Sequence, residues 1–352
     1  MFGVWVLSAG LYPACLGSGV LRTGSTPLQR GLRVDCLGLA RLECWEDDDG
    51  ALAQEVMAMG QAVGAIVGLW RFPVKSMPGE RVDAAEVAAG GLVGDRAFAL
   101  IDANTGKVLS AKTPGLGPAL FGCAATFVEP PRAGEDVPAV RITLPDGTSV
   151  TSEAPDADAR LSGFLARDVR LARAAPEDFT IDQYHPDLEG LDPEGHRDTV
   201  TESKLGSAFF AAAGLPSAVP AGSFFDLFPV SVLTTSTLHH LNDLRPESRF
   251  EEPRFRMNVI VDTDDNGFVE NDWVGDALEI GEQVRLSVAL PDPRCVMTTL
   301  AQGDLPKDTE ILRTLVRHNR IDVAGGLYPC AGVYATVESP GTMRQGDAVI
   351  RS

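Results

Sequence analysis

Short apolar runs closed by turn residues are the feature that most constrains the fold of this chain. They fall at residues 64–72, 97–101, 107–111, 120–128, 140–144 and 169–171. Glycine and proline, 36 and 24 of the 352 residues, supply the turns between them. Regular short strands separated by such turns are typical of a β-barrel or a sandwich. One helical period interrupts them at residues 156–166, where Leu161, Phe164 and Leu165 follow an i, i+3, i+4 spacing. We therefore predict a mainly β fold with helices, in the α+β class.

Composition narrows the class of protein. A chain of 352 residues is long enough for two domains with separate cores. Its apolar content of 44% is that of a soluble globular protein. The formal net charge of −19 disfavours non-specific binding to nucleic acid or to an anionic membrane. We therefore expect a cytoplasmic protein with no nucleic-acid partner and no membrane partner.

The cysteines point to the same compartment. Six of them are scattered along the chain, without a Cys-x-x-Cys pair. This pattern fits reduced thiols in a cytoplasm better than a disulfide framework. It also excludes a plant-type iron–sulfur module, which needs Cys-x4-Cys-x2-Cys.

The first 62 residues fit no targeting pattern well. Residues 2–16 are apolar, but no Lys or Arg precedes them, and the first arginine is Arg22. A signal peptide needs a charged start, and a membrane span needs about 20 apolar residues. We predict a poorly structured extension over residues 1–62. Two alternatives stay open: an over-extended gene start, with Met57 or Met59 as the true beginning, and a short membrane anchor.

Cys295 is the candidate for reactive chemistry. It follows an alternating, strand-like run at residues 283–290, and Pro291 and Pro293 are predicted to stop the pairing of that strand and start a loop. The neighbouring Arg294 is a cation, and an adjacent cation lowers the pKa of a thiol. The thiolate is the form that binds metal or attacks. Cys295 is thus a candidate soft ligand or nucleophile, and an inert buried cysteine is the alternative.

Several segments carry groups suited to an anion. Residues 90–96 form a glycine-rich turn ending in Arg96, and glycines let backbone N–H groups approach an anion. Arg256 and Asn258 are two residues apart in an extended segment, so they share a face. Three hydroxyl side chains stand at a predicted helix start: Thr234, Thr235 and Ser236. Hydroxyls in this position suit either the binding of an anion or ordinary N-capping. Local ion pairing of Asp95 with Arg96 is the alternative for the glycine-rich turn.

Residues 175–199 form an acidic segment with proline and glycine. His185 and His196 stand among its carboxylates, so a metal site is conceivable. Their spacing matches no known ligand motif. An ordered lid or linker is the favoured interpretation.

Two distant motifs resemble one family. Arg294-Cys295-x-x-Thr298-Thr299, with Phe255-Arg256-x-Asn258 upstream, resembles the MOSC domain of molybdenum-cofactor proteins. Residues 72–76, Phe-Pro-Val-Lys-Ser, resemble the opening of the family's N-terminal β-barrel domain. Within this family the chain resembles the mitochondrial amidoxime-reducing component and its bacterial relatives, over residues 63–350. It implies a MOSC N-terminal β-barrel-like domain at 63–174, an acidic linker or lid at 175–199 and a MOSC β-barrel domain at 200–352.

The resemblance also implies a cofactor and a reaction. Cys295 would be the molybdenum ligand and catalytic residue of a bound Mo-molybdopterin. The residues implied to bind this cofactor are Lys75, Ser76, Arg96, Thr234, Thr235, Ser236, Arg256, Asn258, Arg294 and Tyr334. Pyridoxal phosphate binding is a further possibility that the resemblance leaves open, with no residue assigned to it.

The reaction implied is the reduction of a small N-hydroxylated compound by removal of its oxygen atom. Electrons would come from a separate iron–sulfur or flavin protein. Two alternatives keep the fold and change the role: a sulfur-transfer protein with a persulfide on Cys295, and a non-enzymatic carrier of the molybdenum cofactor.

Overall fold

The computed structural model describes residues 60–352 and two earlier strands, β1 (Arg30–Val34) and β2 (Ala40–Cys44). The chain divides into two compact units, residues 1–59 and 60–352. In the first unit β1 and β2 pair in antiparallel fashion. Apart from these two strands, residues 1–59 lie outside the described part of the chain. The over-extended gene start and the short membrane anchor therefore stay predictions.

The described part of the second unit contains nineteen strands and eight helices. The strands are β3 (Gln61–Arg71), β4 (Glu80–Arg81), β5 (Ala84–Ala88), β6 (Gly91–Leu92), β7 (Ala99–Asp102), β8 (Ala124–Phe127), β9 (Val140–Thr143), β10 (Ser149–Thr151), β11 (Val169–Ala172), β12 (Thr180–His185), β13 (Thr199–Lys204), β14 (Val230–Thr234), β15 (Val259–Asp262), β16 (Ala277–Ile280), β17 (Val284–Pro293), β18 (Arg320–Val323), β19 (Gly326–Ser339), β20 (Gly341–Arg344) and β21 (Ala348–Arg351). The α-helices are α1 (Gly117–Gly122), α2 (Ala157–Leu165), α3 (Gly206–Ala213), α4 (Thr235–Leu244), α5 (Glu252–Phe255) and α6 (Glu310–His318). Two 3-10 helices are η1 (Val269–Trp273) and η2 (Val296–Thr299). No helix in these described segments is long and apolar enough to cross a membrane.

Seven strands close into a barrel. Neighbouring strands pair in the order β14-β15-β3-β21-β16-β17-β19, and β19 pairs back to β14. The β14–β15 pair is parallel, and the other pairs are antiparallel. Every one of these strands contributes apolar side chains to one buried core, which includes Leu69, Val232, Val259, Leu286 and Val333. Closure leaves the ring without an unpaired edge.

The first strand of the second unit, β3, is part of this barrel. It pairs with β15 on one side and β21 on the other. At Gly64, where φ is 150°, a Cβ would lie 1.9 Å from the carbonyl oxygen of Asp262. Only glycine allows β15 to approach this closely.

Between the barrel strands β3 and β14, the chain forms smaller sheets. The sheets β8-β9-β10 and β7-β11 surround a second core, in which Leu120, Ile142 and Leu161 are buried. The helix predicted at residues 156–166 is confirmed as α2. The predicted fold class, mainly β with helices and two barrel-like parts, is confirmed.

Two local predictions were wrong. The strand predicted at 107–111 is reduced to one bridge, between Val108 and Ile101. The strand predicted at 120–128 begins as helix α1, whose Pro118 is suited to a helix start. The acidic segment at 175–199 contains a strand, β12, which pairs with β13, and its role as a lid or linker stays a prediction.

Pro291 and Pro293 do not end the pairing of β17, contrary to the sequence prediction. Pairing continues to Pro293, which lies opposite Cys330. The register shifts between Val288 and Leu290, and again between the two prolines. Proline is tolerated at such irregularities because the ladder hydrogen bonds are already interrupted there. This extension carries Arg294 and Cys295 beyond the barrel core.

Candidate active site

The candidate site lies on the outer face of the barrel. Side chains alternate across a strand, so the neighbours of core residues Val232, Val259 and Val333 point outward. Ser231, Asn258 and Tyr334 are these neighbours. Ser231 lies opposite Tyr334 in the β14–β19 register, and its hydroxyl donates to Asn258 Oδ1 at 3.0 Å. Ser231 and Asn258 connect the barrel to residues 70–95, because Asn258 Nδ2 donates to Asp95 Oδ2 at 2.9 Å.

Cys295 is the accessible thiol of the described residues. It precedes the short helix η2, and its carbonyl accepts from the Thr298 hydroxyl at 3.0 Å. The other two cysteines described there are buried. Burial raises the pKa of Cys123 to about 11 and that of Cys330 to about 12. Cys295 is therefore the thiol best suited to bind a ligand.

Arg294 and Asp292 form an ion pair beside Cys295. Arg294 also donates to the carbonyl oxygen of Phe255. Burial raises the pKa of Asp292 to about 6, although Arg294 opposes the rise. Within the described residues, Asp292 Oδ1 and Arg294 Nε are buried without a hydrogen-bond partner. Such atoms are costly unless a ligand or water satisfies them.

Tyr334 lies beside Asp292 in the candidate site. Its ring stacks on Phe228, with centroids 5.4 Å apart. Burial and the nearby Asp292 carboxylate hold the pKa of the Tyr334 hydroxyl well above its usual range. The hydroxyl therefore stays protonated, with the Asp292 carboxylate as its neighbour.

Two buried lysines share one carboxylate. Asp226 accepts from Lys75 Nζ, and from Lys112 Nζ at 2.7 Å. Lys75 also donates to the carbonyl oxygen of Phe224 at 2.8 Å. Burial opposes the charge on Asp226, but Lys112 and Lys75 outweigh it and hold its pKa far below the usual range. Burial lowers the pKa of Lys75, with Asp226 in opposition.

Lys112 was missed by the sequence analysis. Although burial opposes its charge, Asp226 and then Cys295 raise its pKa. Lys112 therefore belongs electrostatically to the Cys295 site. In the sequence it resembles any lysine at the end of a turn, because its partners lie more than a hundred residues away.

Arg96 and Arg256 lie against one aromatic ring. Their guanidinium carbons are 4.5 and 4.4 Å from the centroid of Phe72. Arg96 donates to the carbonyl oxygen of Arg256 at 3.0 Å and also pairs with Asp95. Burial and the neighbouring Arg96 lower the pKa of Arg256 to about 9. The ring provides cation–π contacts that help to keep the two like charges together.

The backbone is strained at three predicted residues. Among the described segments, six non-glycine residues have positive φ, and they include Ser76 at 65°, Arg96 at 48° and Arg256 at 56°. A non-glycine residue in this region costs about 1–3 kcal/mol, and such residues cluster at functional sites. Their coincidence with the sequence motifs supports a common site.

Asn258 supports the site from behind. It is buried, and both halves of its amide are engaged: Nδ2 with Asp95 and the Trp70 carbonyl, and Oδ1 with Ser231. It therefore positions the Asp95–Arg96 pair.

The structure does not bring residues 234–236 to the cations described above. These residues are Thr234, Thr235 and Ser236. Thr234 is three residues along β14 from Ser231, about 10 Å, and alternation turns it to the opposite face. Its hydroxyl donates to the buried Glu270 at 2.7 Å and accepts from the Thr237 N–H, which caps α4. Thr235 donates to Asp262, and Ser236 donates to the carbonyl oxygen of Gly267. For Thr234 the geometry supports the N-capping alternative.

The charges of the cluster do not cancel. Five cations face three carboxylates, a formal surplus of two positive charges in a chain of net charge −19. The cations are Lys75, Arg96, Lys112, Arg256 and Arg294, and the carboxylates are Asp95, Asp226 and Asp292. This balance suits a compact dianion such as a phosphate monoester.

A cavity of about 780 Å³ lies elsewhere, lined by Lys107 and Arg167 among others. Lys107 is paired with Asp182, and Arg167 with Asp102. The cavity contains no thiol. Its two cations already have carboxylate partners, so it is the weaker candidate for an anionic cofactor.

Comparison with known families agrees with this arrangement. Residues 63–178 match the MOSC N-terminal beta barrel domain, and residues 222–350 match the MOSC domain. The chain thus belongs to the MOSC domain proteins that carry the N-terminal MOSC β-barrel domain, and the resemblance predicted from the motifs is confirmed.

Proteins similar to this chain include mitochondrial amidoxime-reducing components. The chain is 28% identical to mitochondrial amidoxime reducing component 2 of Bos taurus over 298 residues, which cover 82% of this chain and 83% of the bovine protein. It is 24% identical to mitochondrial amidoxime-reducing component 1 of Homo sapiens over 318 residues, with coverage of 82% and 83%. Among solved structures, the YUAD protein from Bacillus subtilis aligns over 82% of this chain and 96% of its own, at 12% identity and a TM-score of 0.38. A TM-score this low supports no argument.

Proposed function

We propose that this protein is a molybdenum-cofactor-dependent oxidoreductase that reduces small N-hydroxylated compounds by removing their oxygen atom. The observation that carries the proposal is an accessible thiol, Cys295, beside buried cations with a surplus of two positive charges. The family supports molybdenum-cofactor binding, and the names of its amidoxime-reducing relatives suggest the substrate class.

The residues present fit such a cofactor. Lys75, Lys112, Arg96 and Arg256 would bind its phosphate, with Ser76 as a further hydroxyl donor. Cys295 would be the thiolate ligand, because a soft metal centre prefers sulfur. The unpaired Asp292 Oδ1 and Arg294 Nε lie buried in the same wall and can accept from and donate to a bound group.

When bound, the cofactor would supply the two-electron chemistry. The chain's own side chains would hold and orient this cofactor. Arg294 is fixed by Asp292 and by the Phe255 carbonyl, so its charge stays next to Cys295. Tyr334 and Phe228 provide an aromatic wall with one hydroxyl donor. The two electrons would come from a separate iron–sulfur or flavin protein in the cytoplasm.

The test measures metal, pterin and turnover separately. The protein is purified from a host that makes the cofactor, as wild type, Cys295→Ala and the matched control Cys123→Ala. We expect near-stoichiometric molybdenum in wild type and control by mass spectrometry, and its loss in Cys295→Ala. Amidoxime reduction with a chemical electron donor should be lost in parallel, while some phosphate-bound pterin remains.

Each other result contradicts the proposal in its own way. Well-folded wild type without molybdenum removes the reductase. Sulfane sulfur on Cys295 without molybdenum favours the sulfur-transfer alternative. Bound cofactor without turnover of any N-hydroxylated compound favours the carrier.

A further inference from the structure

A second cluster of ligand atoms lies in the acidic segment, residues 175–199. His185 ends β12, and Asp192 and His196 lie in the loop that leads to β13. His185 Nδ1 is 3.0 Å from Asp192 Oδ2, and His196 Nδ1 is 3.6 Å from Asp192 Oδ1. Glu194 Oε2 is also 3.6 Å from His196 Nδ1. One ligand atom from each of the first three residues lies within 4.8 Å of the other two.

We propose that His185, Asp192 and His196 bind a divalent ion of the zinc type, with Glu194 or water as fourth ligand. Zinc is held tetrahedrally by imidazole nitrogens and carboxylate oxygens at about 2.0–2.2 Å, so two of its ligand atoms are about 3.4 Å apart. The separations of 3.0 and 3.6 Å, which join His185 and His196 to different oxygens of Asp192, lie on either side of this value. Small side-chain rotations therefore bring the donors onto one ion.

The surroundings orient the ligands in advance. His185 is buried, and its Nε2 lies 2.9 Å from Thr201 Oγ1 on β13. A metal-binding histidine commonly donates its other ring N–H to an oxygen, which fixes the ring and the tautomer. Here that bond directs Nδ1 toward Asp192. The Asp192 carboxylate is itself fixed by the backbone N–H of His196 at 3.3 Å.

The local charge favours a cation. Further acidic residues flank the three ligands in the sequence, at Asp187, Glu189, Glu194 and Asp198, and Glu194 also lies 3.6 Å from His196. The nearby Arg197 is paired with Asp187 at 2.7 Å, so its charge is already engaged. Imidazole with carboxylate suits zinc and its neighbours in the first transition row, whereas calcium and magnesium prefer all-oxygen sites.

The ion would hold this loop against the barrel. Pro193 packs on β19 so closely that a Cβ on Gly326 would lie 2.6 Å from its ring. Three residues further along the same strand, the Pro329 carbonyl accepts from the backbone N–H of Arg294 at 2.8 Å. The proposed ion thus fixes a loop beside the strand that borders the Cys295 site. The inference does not depend on the proposed function.

Zinc binding to the full-length, chelator-treated protein tests this by titration calorimetry. We compare wild type with Asp192→Asn and His196→Ala, and with His239→Ala, an exposed histidine on α4, as matched control. Every cysteine is kept in each protein, so zinc bound by thiols is common to all four. Affinity at the proposed site should fall at least about tenfold in the two ligand variants and stay unchanged in the control.

Trypsin gives a second readout, because the side chain of Arg197 is half exposed in the loop. Zinc should slow cleavage after Arg197 in wild type and in His239→Ala, but not in the ligand variants. Magnesium should have no such effect. If His196→Ala fails to fold, His196→Gln keeps the side-chain size and replaces it. Equal zinc affinity and equal cleavage in wild type and ligand variants would overturn the proposal.

Discussion

Replacing Asp226 by asparagine should destabilise the protein more than its exposure suggests. Its carboxylate joins two buried ammonium groups. After the change Lys75 keeps the Phe224 carbonyl as an acceptor, but Lys112 loses its carboxylate partner. Removing one partner of a buried ion pair costs about 3–5 kcal/mol. Because 33% of the Asp226 side chain is exposed, solvent screens part of this loss, and we expect about 2–3 kcal/mol.

Urea unfolding at pH 7 measures this difference between wild type and Asp226→Asn. Thermal unfolding measures the same loss as a fall in Tm, which at about 2–4 °C per kcal/mol should be about 4–12 °C. The double variant Asp226→Asn/Lys112→Met removes the charge left unpaired, so it should recover about half of the loss or more. Recovery of this kind separates a charge effect from poor packing of asparagine.

The pH dependence follows from the depressed pKa of Asp226. A carboxyl group with a lowered folded pKa contributes stability above its unfolded pKa, about 3.9, and loses it as pH falls through the folded value. The part of the difference that comes from the Asp226 carboxylate should thus still be present at pH 5 and shrink below about pH 4. A difference under about 0.5 kcal/mol at pH 7, or a double variant no more stable than the single one, would refute the reasoning.

Three further predictions follow from the same contacts. Gly64→Ala should destabilise the barrel by about 3 kcal/mol or more, measured by urea unfolding, because its Cβ would lie 1.9 Å from a backbone oxygen of β15. Thr234→Val should cost about 1–2 kcal/mol through the lost cap but leave the molybdenum content per folded chain unchanged; loss of metal would mean that Thr234 contacts the cofactor. Iodoacetamide should alkylate Cys295 well before Cys123 and Cys330, whose pKa values burial raises, as followed by peptide mass spectrometry; equal rates would contradict its assignment as the accessible thiol.

The sequence predicted the motif residues better than their partners. Lys75, Arg96, Arg256 and Arg294 were predicted as one anion-binding group, and the structure brings them together although 219 positions separate the first from the last. Asp226 and Asp292 were given no role, because a carboxylate becomes part of such a site only through contacts that the sequence does not display. Asp226, for example, is 151 residues from Lys75 and 114 from Lys112.

The hydroxyls of residues 234–236 were misleading for a different reason. A helix start rich in Thr and Ser is equally suited to an anion and to its own cap. The structure distinguishes the two through Glu270, a fully buried carboxylate that accepts from Thr234, Thr237 and the Gly332 N–H. Nothing near residue 234 in the sequence predicts that a glutamate 36 positions later occupies this end of the strand.

The barrel explains why distant motifs meet at one place. Val232, Val259 and Val333 face its core at one level, since Val232 pairs with both other residues. Alternation then sends the preceding or following residue of each strand outward at the same level. Those residues, Ser231, Asn258 and Tyr334, form the floor on which residues 70–112 place their cations. A slip of one residue in any of these strands would turn its site residue into the core and a valine toward the cations. The register that buries the valines is therefore also the register that builds the site, so a slip that misplaced the site would also remove a valine from the core.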